Sequence, residues 1–498
     1  MKEHRKHLNV HVHNIAVQPN MFDNKSFKYQ YCWYGVEYDT GVLNSAITRI
    51  GNMDMHKYLP IQSKMRRCLL ADDGTVNYYT NHADSKYKEN GIDLAILDGT
   101  DGQFMVEIAG HYVRFEIIGT KRRIKLSPLP LAGFTYIPKC YAGAVHATLN
   151  RSNNKLSAVV NKTTTYRGGD NKTTYDVTAS SESGSFSLLG KPATSISLTN
   201  FRTYARNRGS RWNCYDYNIY QVIYYLYLVE YAERNCHLTM NYNLNAQGFR
   251  QGGLGPGVTT LDGTKLNNLS GYQPFVDCGF TTSLGNNTGQ LTFTMPFSYD
   301  SSGKANYGGD YNASVECVAN KYYSLGENLY KCTQTCTGIH PTNTSYFTKV
   351  TRTTCLVNSY RGIENPFGHI WNWMDGILVN IQASGNSLVY VCEKRSSFAS
   401  TLNNDYILVG NEARTSNYVK NIIFPNLVAS EVGGTGVGST TGFCDYHYTS
   451  IPASGSSVRG VLFGGYAYNG ANAGFVYSNS NIAPSITLAN IGSRLCFF

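Results

Sequence analysis

GVLFGGYAYNGANAGFVYSNSNIAPSITLANIGS, from Gly460 to Ser493, contains no charged side chain. Glycine and alanine interleave there with Tyr, Asn, Ser and Phe. A buried turn region would have to find a partner for every Asn and Ser side chain, and each one left without costs ~1–3 kcal/mol. A partly exposed surface of amphipathic side chains on a frame of small residues costs less. Paratopes use the same palette, because Tyr offers large contact area at low entropy cost and Asn and Ser adapt their hydrogen bonds. The segment is therefore expected to be a ligand-binding surface on a tightly packed backbone.

The remainder of the chain fits a β-rich, loop-rich protein. Its 498 residues include 39 Tyr, 21 Phe, 4 Trp and 48 Gly. With 42% hydrophobic and 15% charged residues, it has ordinary globular apolarity and lacks the signature of disorder. The net charge of +10 is scattered in short clusters at Lys2–Lys6, Lys64–Arg67 and Lys121–Arg123. Nucleic-acid proteins gather such charge into a stripe, so no nucleic-acid partner is expected. No run approaches the ~18 apolar residues of a membrane span, and no membrane insertion is expected. MKEHRKHLNVHVHN at the start has no apolar core of a secretory signal. The expectation is synthesis in a reducing cytoplasm, with the thirteen cysteines mostly thiols and the sequons at Asn161 and Asn343 unused.

Along the chain, the fold class is read as α+β and β-rich. Residues 1–30 form an arm for attachment or oligomerisation. In it, the alternation of His11-Val12-His13 would place both rings on one face of a strand, here a solvated strand with no metal assigned. Residues 31–135 form a β-rich domain. Lys28–Tyr38 alternates as a strand, and Leu97–Ile118 reads as a double Asp-Gly turn followed by a strand pair broken at Ala109-Gly110. Residues 136–498 form the second domain. Its segment 145–196 reads as a surface excursion with little core. Two helices follow: one from Thr199, as N-cap, to Gly209, and one from Asp216 to Arg234, where Ile219, Val222, Ile223, Leu226 and Val229 recur at helical spacing. Glu230 is read as a structural partner. Phe280–Phe297 reads as a hairpin with an Asn-Asn-Thr-Gly turn, 300–355 as a Cys-bearing loop, and Arg361–Val379 as a segment anchored by Trp371 and Trp373 that turns at Asp375-Gly376.

Catalytic patterns are weak. GGTGVGST, Gly433–Thr440, lacks the phosphate-binding lysine of a P-loop. Cys332-xxx-Cys336, with Cys317 and Cys355 nearby, is too loose for a zinc knuckle and reads as a reduced loop or one local disulfide. Cys444-Asp445-Tyr446-His447 juxtaposes a thiol and an imidazole only in sequence, and dyads are assembled in space. No paired carboxylates stand out. No catalytic residue, metal or cofactor is assigned.

GGYAYNGANAGF, Gly464–Phe475, followed by NIGSRLCFF resembles the variable region of proteins diversified by retroelements, of the phage major tropism determinant kind. WYGVEYDTGVLNSAITRIGN, DGTDGQFMVEI, the helix into VEYAERN and RGIENPFGHIWNWMDGI resemble phage tail proteins carrying this module. The resemblance covers most of the chain from about residue 33. It implies that 136–498 is a C-type-lectin-like domain, of the fold also used by formylglycine-generating enzymes, with its variable region at about 460–490. It implies a fixed frame of Gly464, Gly465, Ala467, Gly470, Ala471, Ala473, Gly474, Ser480, Ala483, Pro484, Ser485 and Ala489. The variable, ligand-binding positions are then Tyr466, Tyr468, Asn469, Asn472, Phe475, Val476, Tyr477, Ser478, Asn479, Asn481, Ile482, Ile486, Thr487, Leu488 and Asn490. Adenine randomisation at Asn codons cannot produce Lys, Glu, Gln, Met or Trp, and Gly460–Ser493 contains none of these. Ile491–Phe498 would return as a closing strand with Arg494 paired internally. The implied function is recognition of a bacterial surface receptor, protein or glycan, by a homotrimeric virion protein docked to other tail proteins. The rival readings are an oxidative enzyme of the formylglycine-generating type and a bacterial surface-display adhesin.

Overall fold

The computed structural model describes residues 32–173, 188–260, 274–294, 307–352, 354–433 and 441–498. His11, His13 and all but Gly433 of the Gly433–Thr440 loop lie outside them. Among the described residues the chain forms twenty-nine short strands and three α-helices: α1 (Met53–Tyr58), α2 (Leu198–Arg206) and α3 (Tyr217–Tyr231).

The clearest period in the sequence becomes α3. Asp216 caps it by accepting a hydrogen bond from the Asn218 amide at 2.8 Å, and it ends at Ala232 in the left-handed region. Six tyrosines join the expected aliphatic residues, and the helix is buried nearly all round, as befits a core helix rather than a surface one. It packs on Trp371–Gln382, Tyr34–Asp39 and Cys140–Gly143, strands of three different sheets. In α2, Leu198, Phe201, Arg202 and Ala205 form the buried stripe. Its cap is Ser197, accepting from the Asn200 amide at 3.3 Å, two residues before the expected Thr199.

The first sheet has the order Thr48–Gly51, Tyr34–Asp39, Lys121–Ser127, His111–Ile118, Thr135–Ile137. The second runs Trp212–Asn213, Cys496–Phe497, Cys140–Gly143, Gln103–Ile108, Arg66–Leu70, Val76–Tyr79. The largest runs Ile407–Asn411, Ser387–Val391, Trp371–Gln382, Ser456–Gly464, Gly474–Asn479, Tyr446–Tyr448, Asn417–Ile422, Ala429–Val432, with Ile491–Gly492 added beside Trp371. One core cluster spans all three. A division at residue 135 therefore falls inside a shared sheet, in which the C-terminal strand pairs with Cys140–Gly143 (Cys496 opposite Ala142) and that strand pairs with Gln103–Ile108.

Several local expectations are corrected. Gln103–Ile108 and His111–Ile118 do not pair with each other. Ala109-Gly110 is where the chain leaves one sheet for another. The described part of the expected Phe280–Phe297 hairpin, residues 280–294, does not fold back on itself: Thr282–Leu284 is a 3-10 turn and Gly289–Thr294 pairs with Thr354–Tyr360. The described residues of segment 145–196 are not mainly surface, since Val145, Ala147, Leu149, Leu156, Ala158 and Val159 are buried. Residues 307–350 form a four-stranded sheet rather than a loop. Asp375-Gly376 does not turn the chain but forms a bulge within Trp371–Gln382. Gly376 takes φ 91° there, and Asp375 is buried and bidentate to Arg202 at 2.6 and 2.7 Å.

Two structural roles emerge as expected. Glu230 pairs with Arg361 at 2.6 and 3.0 Å. Arg494 is fully buried and donates to the carbonyls of Gly143 and Glu364, each at 2.7 Å. Among the described residues no helix is long and apolar enough to cross a membrane.

Candidate binding surface

Strand register sets the surface. Tyr418 lies opposite Tyr446. His447 opposite Ser478 puts Tyr446 level with Tyr477. Phe463 pairs with both Ser478 and Asn372, which brings Trp371 level with the Gly464 end of the intervening strand. Rings thus line up across the sheet: Tyr418–Tyr446 at 5.3 Å, Tyr446–Tyr477 at 5.9 Å and Tyr477–Trp371 at 4.6 Å, all edge to face. The row continues through Tyr466, 6.2 Å from Trp371, to Tyr468, 5.6 Å further. Such pairs contribute ~0.5–1.5 kcal/mol each beyond burial.

The small residues make this packing possible. A β-carbon on Gly465 would lie 2.7 Å from the Ala473 methyl and 3.0 Å from the Tyr477 ring. One on Gly474 would lie 2.1 Å from the Asp445 carboxylate. Gly470, at φ 54° and ψ −133°, joins two short 3-10 turns across Ala467–Asn472, a conformation open to glycine. The loop is tied at both ends. The Asn469 side chain accepts from the Tyr466 amide at 2.8 Å, and Tyr418 donates its hydroxyl to Asn472 at 2.9 Å.

The fifteen sequence-derived positions separate by environment. Tyr466, Tyr468, Asn469 and Asn472 are half-buried on the loop over the aromatic row, and Asn490 is half-buried beside Tyr466. Phe475, Val476 and Ser478 are completely buried and Tyr477 is 4% exposed. Phe475 packs on Tyr224, Tyr227 and Phe367. Ser478 bonds the His447 ring at 2.9 Å, whose other nitrogen faces the Ala413 carbonyl at 3.1 Å. That carbonyl requires an N–H, so the serine hydroxyl is the donor at the first nitrogen. These four side chains are core, not contact surface. Asn479, Asn481 and Ile482 are half-buried; the Asn479 side chain is engaged by the Asn481 amide at 2.8 Å and Ile482 packs on the core. Ile486, Thr487 and Leu488 are exposed, on a segment whose backbone is bound to Ser195 and Leu198.

Sequence reasoning missed Tyr418 and Tyr446, while Trp371 is buried in the core, in keeping with its reading as an anchor. The available signal was the alternation Tyr446-His447-Tyr448, which puts both tyrosines on the face opposite a buried His. Burial raises the phenol pKa values, that of Tyr466 to about 12 and that of Tyr446 more modestly. The hydroxyls stay protonated at neutral pH and serve as both donors and acceptors. The site can offer ring faces, phenols and amides to a ligand without moving a charge. No protein-family model matches the chain, and no curated protein compared with it does.

Proposed function

We propose that this chain is a receptor-binding protein of a bacteriophage tail, carried on the virion. Its C-terminal part is a C-type-lectin-like domain that meets a host-surface receptor through the Ala467–Asn472 loop and the aromatic row beneath it. The observation that carries the reading is the placement of half-exposed Tyr466, Tyr468, Asn469 and Asn472 on a floor of Gly465, Ala467, Ala473 and Gly474 that tolerates no larger residue at its two close-contact glycines. Side chains above such a floor can change while the floor stays fixed. Tyr418 and Tyr446 extend the surface, Trp371 is buried beneath it, and all three belong to the constant part of the fold. Docking to other tail proteins and a homotrimeric state complete the proposal, with several modest sites acting together to raise avidity. No bond is made or broken.

The test is adsorption. A Tyr466→Ala/Tyr468→Ala protein is expected to lose host-cell binding while its thermal unfolding midpoint stays close to that of the wild type. Full adsorption by this folded variant overturns the assignment of the surface.

A further inference from the structure

Residues 307–350 build a small sheet from Tyr307–Asp310, Tyr322–Leu325, Asn328–Cys332 and Phe347–Val350. It has its own core cluster of Cys317, Tyr323, Tyr330, Cys332 and Phe347. A core of this size supplies little stability, and small units of this kind ordinarily rely on a covalent or metal staple. Three cysteines meet in it. Cys317 and Cys336 exchange both backbone hydrogen bonds, at 2.7 and 2.9 Å, which holds their α-carbons ~5.5 Å apart. The Cys332 thiol donates to the Cys317 and Gln334 carbonyls at 3.5 and 3.0 Å and neighbours the Cys336 thiol. All three are free thiols. Among the described residues no three His, Cys, Asp or Glu side chains surround a point that could hold a metal ion.

We propose that Cys332 and Cys336 are a modification site, a dithiol that closes to a disulfide and staples the 307–350 sheet when it meets a small-molecule disulfide. Cys336 is half-buried and Cys332 fully buried, which sets the order. The Cys336 thiolate attacks R–S–S–R, forms a mixed disulfide and releases R–S⁻. Cys332 then loses its proton to solvent and attacks the Cys336 sulfur, forming the intramolecular bond and releasing the second R–S⁻. Two protein thiols are oxidised and one small disulfide is reduced to two thiols. Burial raises the Cys332 thiol to about 11, so the second step is slow at neutral pH and quickens as pH rises. Cys317 belongs to the same cluster and remains a thiol.

The experiment treats the full chain with oxidised glutathione at mildly alkaline pH, quenches with acid, unfolds in alkylating reagent and maps the peptides. The expected result is a Cys332–Cys336 cross-link with the other eleven of the thirteen cysteines alkylated. Cleavage within 307–350 by added protease should slow roughly tenfold and recover on reduction. Cys336→Ser should abolish both effects and Cys317→Ser should leave both. Thirteen alkylated cysteines, a glutathione adduct that persists on Cys336, or a cross-link through Cys317 overturns the proposal. The wild-type map decides it even if a variant folds poorly.

Discussion

Tyr466 and Tyr477 come from one charge-free stretch, yet one is half-exposed and the other is 4% exposed. Composition does not separate them; strand register does. Phe475→Ala should cost ~3–5 kcal/mol of stability, as for a large aromatic removed from a core, and Tyr468→Ala no more than ~1 kcal/mol, both read from urea unfolding midpoints. Equal costs would mean that the loop belongs to the core. The same contrast bears on the retroelement reading. If a near-copy of 460–498 lies beside a reverse-transcriptase gene, its differences should fall at 466, 468 and 472 and spare 475–478, where burial resists change. Asp445 gives a pH test. It is fully buried and accepts from the Val476 amide at 2.6 Å, and burial raises its carboxyl from 3.8 to about 8. The folded state therefore holds a proton that the unfolded chain releases, and this contribution is complete below pH ~4 and fades as pH rises through about 8. Asp445→Asn keeps the acceptor without the charge. It should stabilise the protein by on the order of 2 kcal/mol at pH 9 and hardly at all at pH 4, as measured by thermal unfolding at both pH values; a shift of the same size at both would refute the raised pKa.

At the scale of elements, what the sequence reveals depends on how local the cause is. Helix α3 was legible because its cap, its 3.6-residue spacing and its length are all written within 216–231. Individual strands such as Gln103–Ile108 were legible from alternation. Their partners were not, because alternation fixes which side chains share a face but not which strand lies alongside. The strand after Ala109-Gly110 was therefore paired with its predecessor by default, when the break sends it to another sheet. The Asp375-Gly376 bulge shows the same limit. An Asp-Gly pair signals a turn in isolation; here Asp375 is held by Arg202, Asn213 and the Tyr215 carbonyl, groups far away in sequence, 162 residues in the case of Asn213. That anchorage ties α2 to the large sheet through a pair whose exposures are 8% and 0%. Asp375→Ala leaves a buried guanidinium without its carboxylate and should cost ~3–5 kcal/mol. The expected sign is a large fall in the urea midpoint, partly recovered when Arg202→Met is added. If the second change brings no recovery, the cost of Asp375→Ala does not come from the stranded charge.

For the whole molecule, the decisive contact is made by its last residues. Cys496–Phe497 sits inside the second sheet, between Trp212–Asn213 and Cys140–Gly143, and Phe497 packs on Trp212 and Tyr141. Two residues before it, Arg494 holds the carbonyls of Gly143, Glu364 and Asn365. The chain end thus joins strands from the first third of the sequence to those of the last third. The proposed variable loop stands on the sheet that this closure supports, so its rigidity depends on residues far upstream. A fragment of 136–498 would lack Arg66–Leu70 and Gln103–Ile108, leaving the hydrogen-bonding edge of Cys140–Gly143 bare and much of the shared core uncovered. It should fail to unfold cooperatively, whereas the full chain should show coincident transitions for probes placed near Trp212 and near the Ala467–Asn472 loop. Deleting 494–498 should remove both transitions together, because it breaks the join from the other side. A 136–498 fragment with a sharp transition of its own, or a truncated chain in which the two probes part company, would mean that residue 135 does mark an independent folding unit and that the shared sheet adds little to cohesion.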